Sequence, residues 1–163
     1  MKTPPVTSRD VYTWLEAVKD PEIPVLSLVD LGVITDVVVE NTTVDIEMTP
    51  TFVGCPALDI MKLEITETLL QRGMKEVRIV VNFRDPWSSD KISEKGRRAL
   101  KEFGLAPPPA AKVFTDLDVL EHVSCPRCEG TNTTLKNVFG PTLCRSIHYC
   151  FDCQESFEQF KPL

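Results

Sequence analysis

Two short cysteine pairs near the C-terminus constrain the fold of this chain more than any other feature. Cys125 and Cys128 form one Cys-x-x-Cys pair, and Cys150 and Cys153 form the other. Each pair can place two thiolates on one side of a tight turn, and two such turns facing each other supply the tetrahedral sulfur site that zinc prefers. We therefore predict a metal site made of these four cysteines, with structural zinc as the expected ion.

Three alternatives to this zinc site remain open from the sequence. The cysteines could form disulfides or be incidental buried residues, and iron fits the same four-sulfur cage because geometry and ligand softness do not separate it from zinc. Cys144 and His148 lie close to the second pair and are candidate extra ligands. The simpler interpretation is that both pack within the fold and that the four paired cysteines suffice.

Composition and charge exclude several classes of partner. The 163 residues carry 18 Lys and Arg against 24 Asp and Glu, a formal charge of −6, and the segment from Val119 onward is nearly neutral. Nucleic acid is not expected as a partner, because phosphate binding needs concentrated positive charge. The sequence shows neither a membrane-span pattern nor a signal peptide, so we expect a cytoplasmic protein. Thiols in a reducing cytosol are expected to be ligands or reactive groups rather than disulfides.

Hydrophobic periodicity predicts the order αββαβα for the first hundred residues. This pattern indicates an α+β fold in which helices pack on one face of a small sheet in two layers. The elements, in chain order, are a capped helix that begins near Thr7, a hairpin of strands 34–39 and 44–48, a central helix from Pro56 to Gly73, a strand at 77–83 and a second capped helix at 89–103.

A proline-rich stretch separates this predicted domain from the cysteine pairs. Residues 105–112 read Leu-Ala-Pro-Pro-Pro-Ala-Ala-Lys, which favours a stiff linker. We predict a first domain at 1–104, a linker at 105–118 and a small β zinc ribbon at 119–163. The ribbon is expected to have strands at 133–139, 143–149 and 156–161, and to depend on metal for folding because it is too small to bury a sufficient core.

Cys55 is the candidate reactive thiol of the first domain. It directly precedes Pro56 at the expected N-cap of the central helix, where the helix dipole favours a thiolate and a lowered pKa is expected. The alternative is a small apolar residue that fills a tight turn after Gly54. Both histidines of the chain lie in or beside the ribbon, so a Cys-His nucleophilic pair has no evident base in this domain.

Several separated motifs resemble the SufT-like family of small iron–sulfur cluster assembly domains. They are Asp20-Pro-Glu22 after the first helix, Val29-Asp-Leu-Gly-Val-Ile34 at the entry to the first strand, and Thr49 followed by Gly54-Cys-Pro56 before the central helix. The resemblance implies that Cys55 contacts iron or sulfur, and that Asp20 and Glu22 shape the same surface. Without the resemblance, the acidic turn is an ordinary Asp-Pro turn.

The chain from Arg9 to Leu163 also resembles the PaaD family of the bacterial phenylacetyl-CoA epoxidase (ring 1,2-epoxidase) system. The motifs that add to this likeness are Asp85-Pro-Trp87, Ile92-Ser-Glu94, 103–108, the ribbon cysteines and the ending 157–162. The resemblance implies a role in aerobic phenylacetate catabolism, with the oxygenase and reductase subunits and the iron–sulfur assembly machinery as partners. No paired Glu-x-x-His motifs for a diiron site and no dinucleotide fingerprint occur, so we expect a non-catalytic accessory protein.

Three functions follow from these observations. The first is a maturation factor that handles iron or a transient iron–sulfur cluster at Cys55 while the ribbon docks a client. The second is a structural or regulatory subunit that binds the oxygenase and uses Cys55 for packing. The third, an enzyme acting on a CoA thioester, lacks an evident acid–base pair. One cysteine cannot hold a stable cluster alone. A homodimer, in which a second chain supplies a further ligand, is one solution.

Overall fold

The computed structural model describes residues 5–109 and 123–162, and the chain forms two compact units, Met1–Trp87 and Ser88–Leu163. The first unit contains helices α1 (Ser8–Leu15), α2 (Leu28–Leu31) and α3 (Leu58–Gln71), and strands β1 (Ile34–Glu40), β2 (Thr43–Met48) and β3 (Glu76–Val81). The second contains a 3₁₀ turn (Ser89–Lys91), helix α4 (Glu94–Phe103), and strands β4 (Leu105–Ala106), β5 (Thr133–Asn137), β6 (Arg145–Cys150) and β7 (Glu155–Phe160). The α+β class and the predicted order of the main elements are confirmed.

The first sheet has the strand order β1-β2-β3. Strands β1 and β2 form an antiparallel hairpin, and β2 and β3 are parallel because α3 carries the chain back between them. Asn41 turns the hairpin with a left-handed backbone, φ 58°. Asparagine tolerates this conformation better than most residues, which explains why the Glu-Asn-Thr-Thr segment forms the turn.

Helix α1 begins at the predicted capping box. The Thr7 N–H donates to Asp10 Oδ2 at 2.8 Å, and the Asp10 N–H donates to Thr7 Oγ1 at 3.3 Å. This reciprocal pair satisfies two backbone donors at the helix start. Val11 and Leu15 on its inner face are fully buried, and α1 contacts both α3 and β1.

Helix α2 is a single turn that the sequence did not predict. The Asp30 N–H donates to Ser27 Oγ at 2.9 Å, the Ser27 hydroxyl donates to Asp30 Oδ2 at 2.7 Å, and Gly32 ends the helix at φ 75°. Asp30 and Gly32 belong to the motif at 29–34, so a cap and a left-handed terminus account for two of its residues.

The core of the first unit lies between α1, α3 and the inner face of the sheet. Helix α3 buries the predicted face of Met61, Ile65 and Leu69. Strand β2 buries Val44 and Ile46. Cys55 lies in the turn that leads into α3.

The second sheet has the order β4-β7-β6-β5, with β4 parallel to β7 and the other neighbours antiparallel. The three predicted ribbon strands are present with slightly different bounds. Strand β4 adds a fourth, and α4 contacts β4. The predicted linker therefore starts with residues that pair in this sheet, and the compact units divide at 87/88 rather than near 105. Residues 110–118 of the predicted linker lie outside the described residues.

Candidate metal centre and the Cys55 turn

The four paired cysteines converge at one point of the second unit. The Sγ atoms of Cys125, Cys128, Cys150 and Cys153 all lie within 4.8 Å of one another. Cys125 and Cys153 are 3.8 Å apart, and Cys128 and Cys150 are 3.5 Å apart. Sulfurs at the corners of a tetrahedron about 2.3 Å from zinc are separated by about 3.8 Å. The arrangement therefore fits a four-sulfur metal site, and all four residues are unbridged thiols.

Each cysteine pair forms the same kind of turn. The residue that follows the second cysteine is left-handed in both, with φ 61° at Glu129 and φ 61° at Gln154. The first turn is closed by the Cys125 N–H, which donates to the Gly130 carbonyl at 2.9 Å, and the Gly130 N–H points at Cys128 Sγ at 3.4 Å. A Cβ at Gly130 would lie 3.1 Å from that sulfur and 2.2 Å from Asp152 Oδ2, so a side chain here would have to displace the Asp152 carboxylate and would crowd a ligand sulfur.

The protein environment acts differently on the individual thiols. The backbone N–H of Cys153 is the main cause that lowers the pKa of Cys150. Burial, followed by the thiols of Cys128 and Cys150, raises the pKa of Cys153 to about 12. Four thiolates cannot be held this close without a compensating cation, because like charges in one site disfavour ionisation. A divalent ion would supply that charge and hold the two turns together.

Two of the ligand sulfurs also belong to the hydrophobic core of this unit. The buried cluster consists of Cys125 and Cys150 with Ala106, Val123 and Phe157, and Cys153 packs against it. The metal-site turns and this core therefore share residues.

The two candidate extra ligands lie outside the four-sulfur group. Cys144 is buried, with its sulfur 3.1 Å from Thr142 Oγ1. His148 is fully buried, with Nε2 2.9 Å from Ser146 Oγ and its ring stacked on Phe157 at 5.3 Å. Burial lowers the pKa of His148 to about 4, which keeps the imidazole neutral at pH 7. Both positions match the packing alternative, and within residues 5–109 and 123–162 the four paired cysteines form the group that converges.

Cys55 lies in the turn of residues 51–57, between β2 and α3. The turn is formed by Gly54 at φ 82°, a left-handed backbone that disfavours other residues. Cys55 is half-buried, whereas Gly54, Pro56 and Val53 are exposed. The thiol is therefore partly accessible at a loop, and not sealed in the core.

The expected N-cap position of Cys55 is wrong. Helix α3 begins at Leu58 with Ala57 as its N-cap, so Cys55 lies two residues before the cap. The reason is a separate turn in which the Leu58 N–H donates to the Cys55 carbonyl at 3.2 Å. This bond uses one of the helix donors that the prediction directed toward the thiol.

An exposed apolar stripe runs along α3 near this turn, and sequence reasoning missed it. Ile60, Leu63 and Leu70 are 49%, 58% and 46% exposed, and Val53 in the turn is 82% exposed. The 60/63/70 spacing places the three helix residues on one side, opposite the buried face. The signal was present in the sequence, because α3 has apolar residues on two sides rather than one.

Asp20 and Glu22 lie in the turn after α1. Asp20 is buried, and its Oδ1 accepts hydrogen bonds from the Glu22 N–H at 2.8 Å and the Ile23 N–H at 2.9 Å. Its backbone N–H donates to the Leu26 carbonyl at 2.9 Å. Asp20 therefore organises the acidic turn. Whether Asp20 and Glu22 share a functional surface with Cys55 stays a prediction.

Substitutions of Asp20 can separate its structural role from a role of its charge. We expect Asp20→Ala to lower the free energy of unfolding of the first unit by about 2 kcal/mol, because two backbone donors lose a charged acceptor. Asp20→Asn keeps a carbonyl oxygen at the same place and should retain most of that stability. Urea unfolding of both variants measures the difference. Equal stability of Asp20→Ala and the wild type would contradict the turn-organising role.

Comparison with known proteins agrees with the two parts of the structure. Residues 109–161 match the model described as the PaaD zinc beta ribbon domain, and residues 8–81 match the iron–sulfur cluster assembly protein model. The chain is 34% identical over 157 residues to a putative 1,2-phenylacetyl-CoA epoxidase subunit of Escherichia coli, covering 96% of this chain and 94% of that protein. The chain belongs to the PaaD family. Its second unit thus contains a zinc ribbon with a four-cysteine metal site.

The first part of this PaaD family member also resembles three other proteins. It is 36% identical over 101 residues to an Fe-S protein maturation auxiliary factor of Porphyromonas gingivalis, covering 61% of this chain and 92% of that one. A solved DUF59 domain from Bacillus anthracis is 32% identical with a TM-score of 0.54, over 57% of this chain and 90% of that chain. A conserved hypothetical protein from Thermotoga maritima is 27% identical with a TM-score of 0.52, over 64% and 100%. Within residues 5–109 and 123–162, no helix is long and apolar enough to cross a bilayer.

Proposed function

We propose that this protein is an accessory factor of the phenylacetyl-CoA epoxidase system that assists assembly of an iron–sulfur or iron centre in a partner subunit. Cys55 is the thiol that contacts the iron or the cluster in transit. The observation that carries the proposal is the combination, in one chain, of an assembly domain related to maturation factors and a PaaD ribbon.

The surroundings of Cys55 support a handling role. A half-buried thiol on a loop can exchange ligands with an incoming metal, because access and thiolate character control cysteine chemistry. One thiol supplies one ligand of a cluster, so the remaining ligands come from a second chain or a small thiol. Release to a client follows when that client offers a more complete ligand set.

The apolar stripe on α3 supports transient docking of a client at the end of the first unit where Cys55 lies. Ile60 lies in the first turn of α3, close in sequence to Cys55, and Val53 is two residues before the thiol. Contiguous exposed apolar side chains on a soluble domain mark interaction surfaces. A client that covers the stripe would bring its own metal site toward Cys55. The ribbon, held by zinc, supplies a second docking element.

The proposal is tested by the metal content of the epoxidase subunits in cells that carry Cys55→Ser. We expect their iron and acid-labile sulfide to fall severalfold, because serine is a poor ligand for iron in place of a thiolate. Cys144→Ser is the matched control, since it also removes a thiol outside the four-sulfur group and should leave client iron unchanged. Full metal loading of the client in Cys55→Ser cells would overturn the proposal.

A structural or regulatory component of the oxygenase is the second candidate, favoured because the Escherichia coli relative is named as a subunit of the epoxidase. Co-purification separates the two, because a structural component stays with the oxygenase in fixed stoichiometry and a maturation factor leaves. Zinc and iron analysis of the anaerobically purified protein adds a second criterion. Zinc in wild type and Cys55→Ser, with iron and sulfide in wild type alone, supports the handling role.

A further inference from the structure

One acidic residue interrupts the apolar stripe of α3. Leu63 and Leu70 lie on the exposed side of this helix, and the position between them is taken by Glu67, which is also exposed. Residues three or four apart are neighbours on a helix surface, so the acidic residue joins the stripe into one row. Its members are spaced by three, four and three residues, like the a and d positions of a heptad. This row, the α3 seam, consists of Ile60, Leu63, Glu67 and Leu70.

The residues that flank the α3 seam add to its acidic character. Asp59 and Glu64 occupy the g and e positions on its two sides. The nearest cation, Lys62, pairs with Asp59 at 3.7 Å, and an exposed ion pair of this kind contributes little. Arg72 follows the helix, and its guanidinium lies over the ring of Trp14 on α1 at 5.8 Å. The exposed side of α3 therefore combines apolar side chains with acidic ones.

The spacing of the α3 seam fits a second helix. An amphipathic helix that docks on another surface does so through side chains repeated at three and four residues, and these enter the spaces between the residues of the facing helix. Helix α3 has 14 residues and is therefore about 21 Å long, enough for about two heptads of a partner helix. A carboxylate covered by such a partner must be paired, because an unpaired charge is costly to bury. The partner helix therefore needs Lys or Arg opposite Glu67.

Charge argues against two other occupants of the α3 seam. A second copy that docked through its own α3 would place Glu67 opposite Glu67 in a parallel pair. In an antiparallel pair centred on Ile65, Glu67 would face Leu63, so in neither case would a cation cover the carboxylate. The surface of an anionic membrane attracts basic residues and repels acidic ones. A basic helix is the occupant that complements both the apolar and the acidic residues of the seam.

We propose that the α3 seam docks a basic amphipathic helix of the client subunit. Apolar side chains of that helix cover Ile60, Leu63 and Leu70. A Lys or Arg near its centre pairs with Glu67, and further basic residues along its edges meet the acidic flanks of the seam. This inference rests on the proposed function, in which a client covers the stripe, and it adds the secondary structure and the charge of the client segment.

Binding of three labelled peptides to the full-length, zinc-loaded protein tests the spacing and the charge separately. The first peptide is helical, with leucines at the a and d positions and lysines beside them. The second has the same composition in scrambled order, and the third has glutamate in place of every lysine. Fluorescence anisotropy should show binding of the first peptide, and at least about tenfold weaker binding of the other two. Equal binding of the first peptide and either of the others would overturn the proposal.

A charge reversal in the protein tests the central contact. Glu67→Lys should weaken binding of the basic peptide about tenfold and strengthen binding of the acidic peptide, because the sign of the contact is reversed. Glu102→Lys is the matched control, since it makes the same charge change at an exposed position of helix α4. It should leave the binding of both peptides unchanged. Equal effects of the two reversals would overturn the pairing at Glu67.

Two further measurements separate this inference from the proposed function and from the other occupants. Cys55→Ser keeps the α3 seam, so it should bind the basic peptide like the wild type even where delivery of iron to the client fails. Loss of peptide binding in Cys55→Ser would overturn the assignment to the seam. Sedimentation velocity should show no dimer that Leu63→Ala dissociates, and phosphatidylglycerol vesicles should not bind the wild type through Leu63. Either of those results would assign the seam to a second copy or to a membrane instead.

Discussion

Replacing Cys153 by alanine is expected to unfold strands β5–β7 while the first unit stays folded. The physical reason is that two of the four ligands, Cys125 and Cys150, belong to the buried cluster at the metal site, and Cys153 packs against that cluster. Zinc binding in small metal-dependent domains contributes about 10–16 kcal/mol of folding free energy, which matches or exceeds the whole stability of an ordinary domain. The loss of one ligand is therefore expected to remove more free energy than the net stability of this sheet.

Hydrogen exchange measures this outcome for each unit separately. Amides of β6 and β7 should lose their protection in Cys153→Ala and in Cys128→Ala, and those of β2 and α3 should keep theirs. Cys144→Ala is the matched control, because it removes a buried thiol of the same unit that is not in the four-sulfur group. A strong chelator should reproduce the effect in the wild type. Equal loss of protection in both units would show that the two units do not fold independently.

The second large effect is expected at Trp87. Its side chain is 4% exposed, and its indole N–H donates to the Leu31 carbonyl at 3.0 Å. This contact ties the chain after β3 to the end of α2, two segments that are 56 residues apart. Trp87→Ala should lower the free energy of unfolding of the first unit by about 3–5 kcal/mol, because it leaves a large cavity and an unsatisfied carbonyl.

Two further variants divide that effect into its parts. Trp87→Phe fills most of the cavity without the donor and should cost about 1–2 kcal/mol. Leu63→Ala is the control for loss of an apolar side chain at a surface position, and it should change the stability little. Trp14, the other tryptophan of the chain, reports the urea transition of the same unit by fluorescence. A loss below about 1 kcal/mol in Trp87→Ala would contradict its role as a tie between segments.

Features with local causes could be predicted from the sequence. Three predicted features each depend on a few neighbouring residues, and the structure has all three. They are the capping box at Thr7, the turn at Asn41 and the turns of the two Cys-x-x-Cys pairs. The buried face of α3 followed from its helical period. Local hydrogen bonds and periodicity carry this information without reference to the rest of the chain.

Features set by distant parts of the chain could not be predicted in the same way. Strand β4 has two residues, and it forms only because β7 pairs with it more than 50 residues later. The one-turn helix α2 depends on a buried cap rather than on a long apolar pattern. Cys55 was misplaced because one backbone bond, from Leu58 to the Cys55 carbonyl, starts a separate turn before α3. The exact residue at which a helix begins is decided by packing, and it can differ by one or two residues from the position that local sequence predicts.

The strand order of the second sheet has a consequence for how the protein is made. Strand β7 is the last described strand to leave the ribosome, yet it lies between β4 and β6 in the interior of its sheet. Domains fold as units during synthesis, with the amino-terminal one first. The first unit can therefore acquire its structure during translation, whereas β4 and β6 have no shared neighbour until β7 has left the ribosome. Nonsense or frameshift changes that remove β7 alone would yield a folded first unit without a ribbon, rather than a protein with a slightly shortened sheet.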